Sequence, residues 1–261
     1  VGPPVLVLGG QGVLGRAIAD ACRTRRMPCV VVSHGEADVG SEEAVRRALA
    51  RYRPWAVINT AGLSAAGVAE RNPEDATRVH VHGPEVLARV APELPVVSFS
   101  SAEVFWSPGA RFHTERSTPS PRSALGRTRL EGEQRLLASH RRALVVRIGP
   151  LFWAAESLAL EPDVLVTPVH GPAVADAVLD LLLDQLTGVL HLAHGGEACT
   201  GTGWDAQTRA LEARVHSATG SPVPEASRAL DTGRVKLLCT MDVALQAWKA
   251  DRAAVPAALT G

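Results

Sequence analysis

The chain of 261 residues has one tyrosine, Tyr52, and two lysines, Lys236 and Lys249. That scarcity bears on catalysis before any motif is read. Chemistry that takes its proton from a phenol beside an ammonium has almost nothing here to draw on. Charge of either sign is also absent in excess, because 27 Lys and Arg balance 27 Asp and Glu. A chain without a basic field is not built for nucleic acid or an anionic membrane. No apolar run approaches the roughly 18 residues of a membrane span, and Val5–Leu8 is too short for a signal-peptide core. A cytoplasmic location is the expectation. Cys22, Cys29, Cys199 and Cys239 show no C-x-x-C spacing, so reduced thiols are expected. His170, His191 and His194 have no matching cysteine or carboxylate cluster, and no metal site is expected.

What is present is an ordinary globular balance, 46% hydrophobic and 21% charged. Short β-branched runs alternate with helical segments through the first half. Val5–Leu8, Cys29–Ser33, Trp55–Ala61, Val96–Ser100 and Ala143–Ile148 read as strands. Helices are expected over Val13–Arg23, after the capping residue Ser41, from Asn72-Pro73 toward Ala91, and over Leu130–His140. After Pro150 the pattern loosens, with a helix over Ala173–Leu186, a strand over Val189–Ala193 and a helix over Thr202–Ala218. Val235–Leu238 and Asp242–Asp251 close the chain. Asp176, Asp180 and Asp184 fall on one helix face and read as a solvated face.

Gly9-x-x-Gly12-x-x-Gly15 follows the first strand and opens the first helix, the context in which a glycine loop holds a dinucleotide. Gly9 permits the tight turn, Gly12 lets the backbone approach a pyrophosphate, and Gly15 allows close packing. Val13 and Leu14 sit on the helix N-terminus, whose N–H groups and dipole favour an anion. The second strand ends Val32-Ser33-His34-Gly35, without an acid for the ribose 2′-hydroxyl. Arg16 is placed to meet a 2′-phosphate, so NADP(H) is favoured over NAD(H). Asp38 and Val39 are expected beside the adenine, and Thr60, Ala61 and Gly62 along the cofactor. The fold class is therefore α/β, a Rossmann-type doubly wound parallel sheet with a small C-terminal substrate lobe. Residues 1–150 form the dinucleotide domain and 151–261 a lobe interleaved with the end of the sheet.

Longer stretches carry a resemblance. Arg53-Pro-Trp-Ala-Val-Ile-Asn59-Thr-Ala-Gly, Gly83-Pro84-Glu-Val-Leu, Ser100-Ser101-Ala-Glu103-Val-Phe, Leu130-Glu131-Gly132-Glu133, Arg147-Ile-Gly-Pro and Ser227-Arg-Ala-Leu-Asp231-Thr232 run nearly end to end. Together they resemble the extended short-chain dehydrogenase/reductases, and within them the dTDP-4-dehydrorhamnose reductases. The resemblance implies a serine that bonds the substrate carbonyl, at Ser101, and a Tyr-x-x-x-Lys pair. The pair is replaced: Leu125 stands for the tyrosine and Arg129 for the lysine. Leucine transfers no proton. Arginine can bond a ribose and supply positive charge but does not shed its proton. Val79-His80-Val81-His82 replaces the stretch that carries the family's helix asparagine. The related nucleotide-sugar dehydratases draw acid and base from a Thr-Asp-Glu run at this strand end. Ser101-Ala102-Glu103 keeps the glutamate and loses the aspartate, which makes Glu103 a candidate base, and His113 is a candidate acid.

Three readings stand open at this point. The first is an atypical enzyme that binds NADP(H) and acts on a sugar nucleotide or other small oxygenated metabolite by non-standard chemistry, either non-redox and Glu103-assisted or a weak reduction through Ser101 and an unorthodox acid. The second is an NADP-binding regulatory subunit without catalysis, docked on another protein. The third is a reductase of the family's usual kind. A homodimer is the default assembly.

Overall fold

Val5, Leu6, Val7 and Leu8 have no exposed surface, as a strand covered by helices on both faces requires. Alternation along this strand, β1 (Val5–Leu8), divides the core in two. Val5 and Val7 face one cluster with Ile18, Ile58, Val97 and Leu179, while Leu6 and Leu8 face another with Val45, Val57 and Leu87. The computed structural model describes residues 2–63, 66–109, 112–153, 158, 160–194, 198–200, 202, 226–231, 238, 243, 244, 246, 247 and 250.

In chain order there follow α1 (Val13–Thr24), β2 (Cys29–Val32), α2 (Glu42–Tyr52), β3 (Ala56–Asn59), α3 (Ala66–Arg71), α4 (Pro73–Thr77), a π-helical turn over Arg78–His82, α5 (Gly83–Val90) and β4 (Val96–Ser101). Then come β5 (Ser107–Pro108), α6 (Ala124–Ser139), β6 (Ala143–Ile148), β7 (Leu151–Phe152), β8 (Val164–Leu165), β9 (Val169–His170), α7 (Gly171–Leu183), β10 (Gly188–Leu192) and β11 (Ala226–Ser227). The main sheet is parallel throughout, in the order β2-β1-β3-β4-β6-β10. Helices α1 and α7 pack on one face, α2 and α5 on the other. This is the doubly wound architecture expected from the alternation of strands and helices.

Local chemistry sets the helix ends. Ser41 Oγ accepts from the Ala44 N–H at 3.3 Å, and Glu42 and Glu43 occupy the first turn, where the dipole favours them. Asn72 departs from expectation. Its side chain makes no cap bond and its Nδ2 donates backward to Val68 O at 3.1 Å. Helix α6 starts six residues earlier than the apolar pattern suggests, because Ser123 Oγ caps the Gly126 N–H at 3.0 Å.

The aspartate ladder is also more than a solvated face. Arg25, at the end of α1, donates to Asp176 at 3.0 Å and Asp180 at 2.5 Å, and so clips α1 to α7. Beyond residue 150, β10 returns to the main sheet. The small sheet β5-β11-β8 mixes strands from both halves, and β7 pairs with β9. The helix expected over 202–218 and the segment 235–238 lie almost wholly outside the described residues. Of 242–251, Val243, Ala244, Gln246, Ala247 and Ala250 are described and helical. Among the described residues no helix is long and apolar enough to cross a membrane.

Candidate active site

The strand order reverses between β1 and β3, because the chain leaves β1 for β2 on one side and returns to β3 on the other. In open parallel sheets ligands bind at such a switch point, beyond the carboxyl ends of the strands. The glycine loop lies there. Gly9 has φ +78°, and a Cβ on it would sit 2.6 Å from the Ala61 nitrogen. The Gly10 N–H donates to Val32 O at 3.1 Å, which ties the loop to the end of β2. A Cβ on Gly15 would meet Gly10 Cα at 2.5 Å, so Gly15 admits the loop itself against α1. Gly12 is exposed, and a Cβ there would meet nothing closer than Gly9 O at 3.5 Å.

Helix α1 therefore opens on solvent with Val13 and Leu14 in its first turn. No side chain caps it and no acid stands in that turn, so its N-terminal N–H groups face outward for an anion. Arg16 is exposed and donates from Nη1 to Gln11 O at 3.1 Å. The Thr60 hydroxyl donates to Leu8 O at 2.7 Å and joins β3 to β1. Ala61 N–H is held by Asn59 Oδ1 at 3.1 Å.

Asp38 and Val39, the residues expected beside the adenine, are engaged within the fold itself. Asp38 accepts from Gly40 N–H at 2.9 Å and pairs with Arg78. Val39 is buried, and a Cβ on Gly83 would lie 2.9 Å from its Cγ1. In the connection from β2 to α2, Val39 joins the core cluster of Val86 and Leu87 from α5.

On α6, Leu125 is buried in an apolar cluster with Ala69 and Ala76. Arg129, one turn on, reaches under the ends of the central strands. Its Nη1 donates to Phe99 O at 2.9 Å, and its Nη2 lies where a Cβ on Gly62 would be 2.0 Å away. Its Nε has no partner among the described residues. Burial pushes the guanidinium pKa down to about 10, against the pull of Glu133, and leaves it charged at neutral pH. Glu133 is itself locked to Arg147 at 2.6 Å, with both side chains buried.

His80 sits in the π-helical turn and is buried. Its Nε2 accepts from the Leu63 N–H at 2.9 Å, so its Nδ1 carries the proton and donates to Thr128 Oγ1 at 2.9 Å. Thr128 in turn donates to Ala124 O at 2.9 Å. Burial, then the nearby Arg129 charge, drives the imidazole pKa down to about 2. His80 is thus a neutral strut between the loop after β3 and α6. His82, two residues on, is exposed and faces Glu85 at 3.5 Å. Among the described residues no group of three or more His, Cys, Asp or Glu side chains is placed to hold a metal.

Ser101 ends β4, partly exposed, and its Oγ accepts from the Glu103 N–H at 3.2 Å. Its own hydrogen stays available to a carbonyl oxygen. Glu103 does not stand ready as a base. Its Oε2 accepts from Ser123 Oγ at 2.7 Å and its Oε1 is paired with Arg228. Arg228 also binds Glu161 at 2.5 Å and lies over the Trp106 ring, 5.4 Å from its centre. The expected proton acceptor is a tie between the sheet, α6 and the lobe.

His113 is no freer. It is buried and stacked on Phe105 at 4.5 Å, and its Nε2 meets Ser107 Oγ at 3.2 Å. The structure thus brings Ser101, Arg129, Gly62 and the glycine loop to the sheet's carboxyl edge and gives Glu103 and His113 to the lobe contact. Sequence reasoning missed Arg228 and the strut role of His80. The first is marked only by its place in the Ser227–Asp231 segment, the second only by its change from the family pattern.

Comparisons with known proteins agree with this architecture. The family described as the RmlD substrate binding domain matches residues 4–237. A dTDP-4-dehydrorhamnose reductase of Streptomyces griseus is 30% identical over 227 residues, covering 78% of this chain and 73% of that protein. The methionine adenosyltransferase 2 subunit beta of Danio rerio is 27% identical over 161 residues, covering 59% of this chain and 50% of that protein. The chain spans between 48% and 73% of the length of the curated relatives it matches. A dTDP-4-dehydrorhamnose reductase of Bacillus anthracis, solved in complex with NADP, superposes with a TM-score of 0.82 at 16% identity, over 96% of this chain and 100% of that one. At that identity the likeness speaks for the fold.

Proposed function

The chain belongs to the RmlD substrate-binding-domain family, and from that premise we propose that it is an NADPH-dependent reductase of a nucleotide-linked keto sugar. The observation that carries the reading is the glycine loop at the switch point, with an exposed Gly12 and an uncapped, acid-free start to α1. These residues fit a dinucleotide pyrophosphate. Residues 1–150 hold the cofactor, and 151–261 supply the substrate lobe while returning β10 to the main sheet. The named activity of the Streptomyces griseus relative and the NADP of the Bacillus anthracis structure support the same assignment.

Bound NADPH would supply the hydride. Ser101 donates to the substrate carbonyl oxygen, using the hydrogen that its contact with Glu103 N–H leaves available. Arg129 offers its Nη2, beside Gly62, to the ribose and adds positive charge where the alkoxide forms. Leu125 delivers no proton, so the alkoxide takes one from water. Turnover is then slower by about 10²–10⁴ than with a positioned acid. Non-redox chemistry through Glu103 has no support, since both of its oxygens are engaged.

Titration of the protein with NADPH, read by energy transfer from tryptophan, followed by NADPH consumption with a nucleotide-linked 4-keto sugar, tests the proposal. Saturable binding with slow, sugar-dependent oxidation is the expected result. Absence of NADPH binding would sink it. A second reading, a regulatory subunit that holds NADP without turnover, is favoured by the apolar packing of Leu125 and by the name of the Danio rerio relative. Saturable binding with no turnover, together with a stoichiometric partner on purification, would select it.

A further inference from the structure

The end of β2 carries an acid that the linear sequence hides. Glu36 lies three residues past Ser33, and a tight turn brings it back. Ser33 donates to Glu36 Oε2 twice, from its N–H and from its hydroxyl, both at 2.9 Å. Two converging donors on one oxygen make an anion seat, and here the chain's own carboxylate fills it. The seat adjoins the glycine loop, because the preceding residue, Val32, accepts from Gly10 N–H at 3.1 Å. A Cβ on Gly10 would lie 1.7 Å from Val31 Cγ1, so loop and strand end are in direct contact. In sheets of this kind the end of the second strand meets the ribose 2′ position of a bound dinucleotide.

We infer that Glu36 is an internal anion lodged in the seat of the NADP 2′-phosphate, and that the phosphate binds by displacing it. The inference rests on the NADPH reading above. Two features make displacement feasible. Glu36 is exposed, so its carboxylate can move out into water. The turn does not need the carboxylate, since Glu36 N–H and Ala37 N–H both donate to Ser33 O, at 3.1 and 3.0 Å, and Ala37 is buried as an anchor. The vacated Ser33 N–H and hydroxyl then serve the phosphate, with Arg16 on the first turn of α1 as the cation nearest the loop in sequence. A ribose with a free 2′-hydroxyl leaves Glu36 where it is. Glu36 therefore weakens NADPH binding and leaves NADH binding unaffected.

The test is the dissociation constant of NADPH and of NADH for the full chain, its Glu36→Gln variant and its Ser33→Ala variant, read by tryptophan energy transfer. Removing the carboxylate charge from beside a dianionic phosphate should tighten NADPH about tenfold and leave NADH unchanged. Ser33→Ala, which deletes one seat donor, should weaken NADPH severalfold and again spare NADH. An unchanged NADPH-to-NADH ratio in both variants overturns the inference while leaving the reductase reading intact. Loss of NADH affinity in Glu36→Gln also overturns it, by showing that the carboxylate grips the 2′-hydroxyl. If the unaltered protein binds neither nucleotide, the reductase reading fails and this inference with it.

Discussion

A methyl group on Gly62 would stand 2.0 Å from Nη2 of Arg129, closer than any two unbonded heavy atoms can approach. The glycine after β3 and the arginine on α6 therefore depend on each other, although 67 residues separate them. Gly62→Ala should push the buried guanidinium off its bond to Phe99 O, with a stability loss of about 1–3 kcal/mol. The dissociation constant for NADPH should rise severalfold, because the displaced Nη2 no longer faces the ribose. Thermal melting and nucleotide titration of the same variant check the two halves. A variant that melts normally and binds NADPH normally would remove Arg129 from the cofactor site.

Leu125 and Arg129 occupy the two positions that the family gives to a proton donor and its lysine. The double variant Leu125→Tyr with Arg129→Lys should raise sugar-dependent NADPH oxidation by about 10²-fold or more. It should also destabilise the protein by about 1–3 kcal/mol, since a larger ring must enter the cluster with Ala69 and Ala76. Single-turnover kinetics and urea unfolding separate the effects. Unchanged turnover in a folded double variant would favour the regulatory reading.

Glu103 holds Arg228 and Ser123 together, so its removal should be felt in stability rather than in chemistry. Glu103→Gln leaves Arg228 with Glu161 alone, and a loss of about 1–3 kcal/mol is expected by chemical denaturation. The rate of NADPH oxidation under saturating substrate should stay within about twofold, given that water is the proton source assigned here. A collapse of kcat without loss of stability would restore Glu103 as a base.

His80 is neutral in the fold, with its pKa lowered to about 2 by burial and by Arg129. Unfolded, the imidazole returns to about 6.5. Below that value the unfolded chain binds a proton that the fold rejects, so stability falls as pH drops from about 6.5 toward 2 and is complete above about 6.5. The slope reaches at most about 1.4 kcal/mol per pH unit. His191, also lowered by burial, adds in the same direction. Urea unfolding at pH 7.5 and 5.5 should show the loss, and His80→Asn should reduce it. An equal loss in that variant would assign the dependence elsewhere.

Much of this protein is legible in its residue order because the information is local. Alternating apolar runs of four to six residues define the strands, Ser41 with Glu42 and Glu43 defines a helix start, and Gly9-x-x-Gly12-x-x-Gly15 defines the loop. Each depends on neighbours a few positions away, through sterics, hydrogen-bond capping and side-chain alternation. The absence of tyrosine and lysine where chemistry would need them is likewise visible in the string alone.

Only the tertiary structure decided which groups are available. Glu103 looks like a base until Arg228, 125 residues later, closes on it. The Arg78 partner of Asp38 and the Arg25 partner of the still exposed Asp176 come from segments that the local sequence does not name. Glu36 lies outside the strand end until a turn returns it to Ser33. A side chain's chemistry depends on what its atoms touch and how much water they keep. Both follow from the packing of distant segments, which no local pattern encodes.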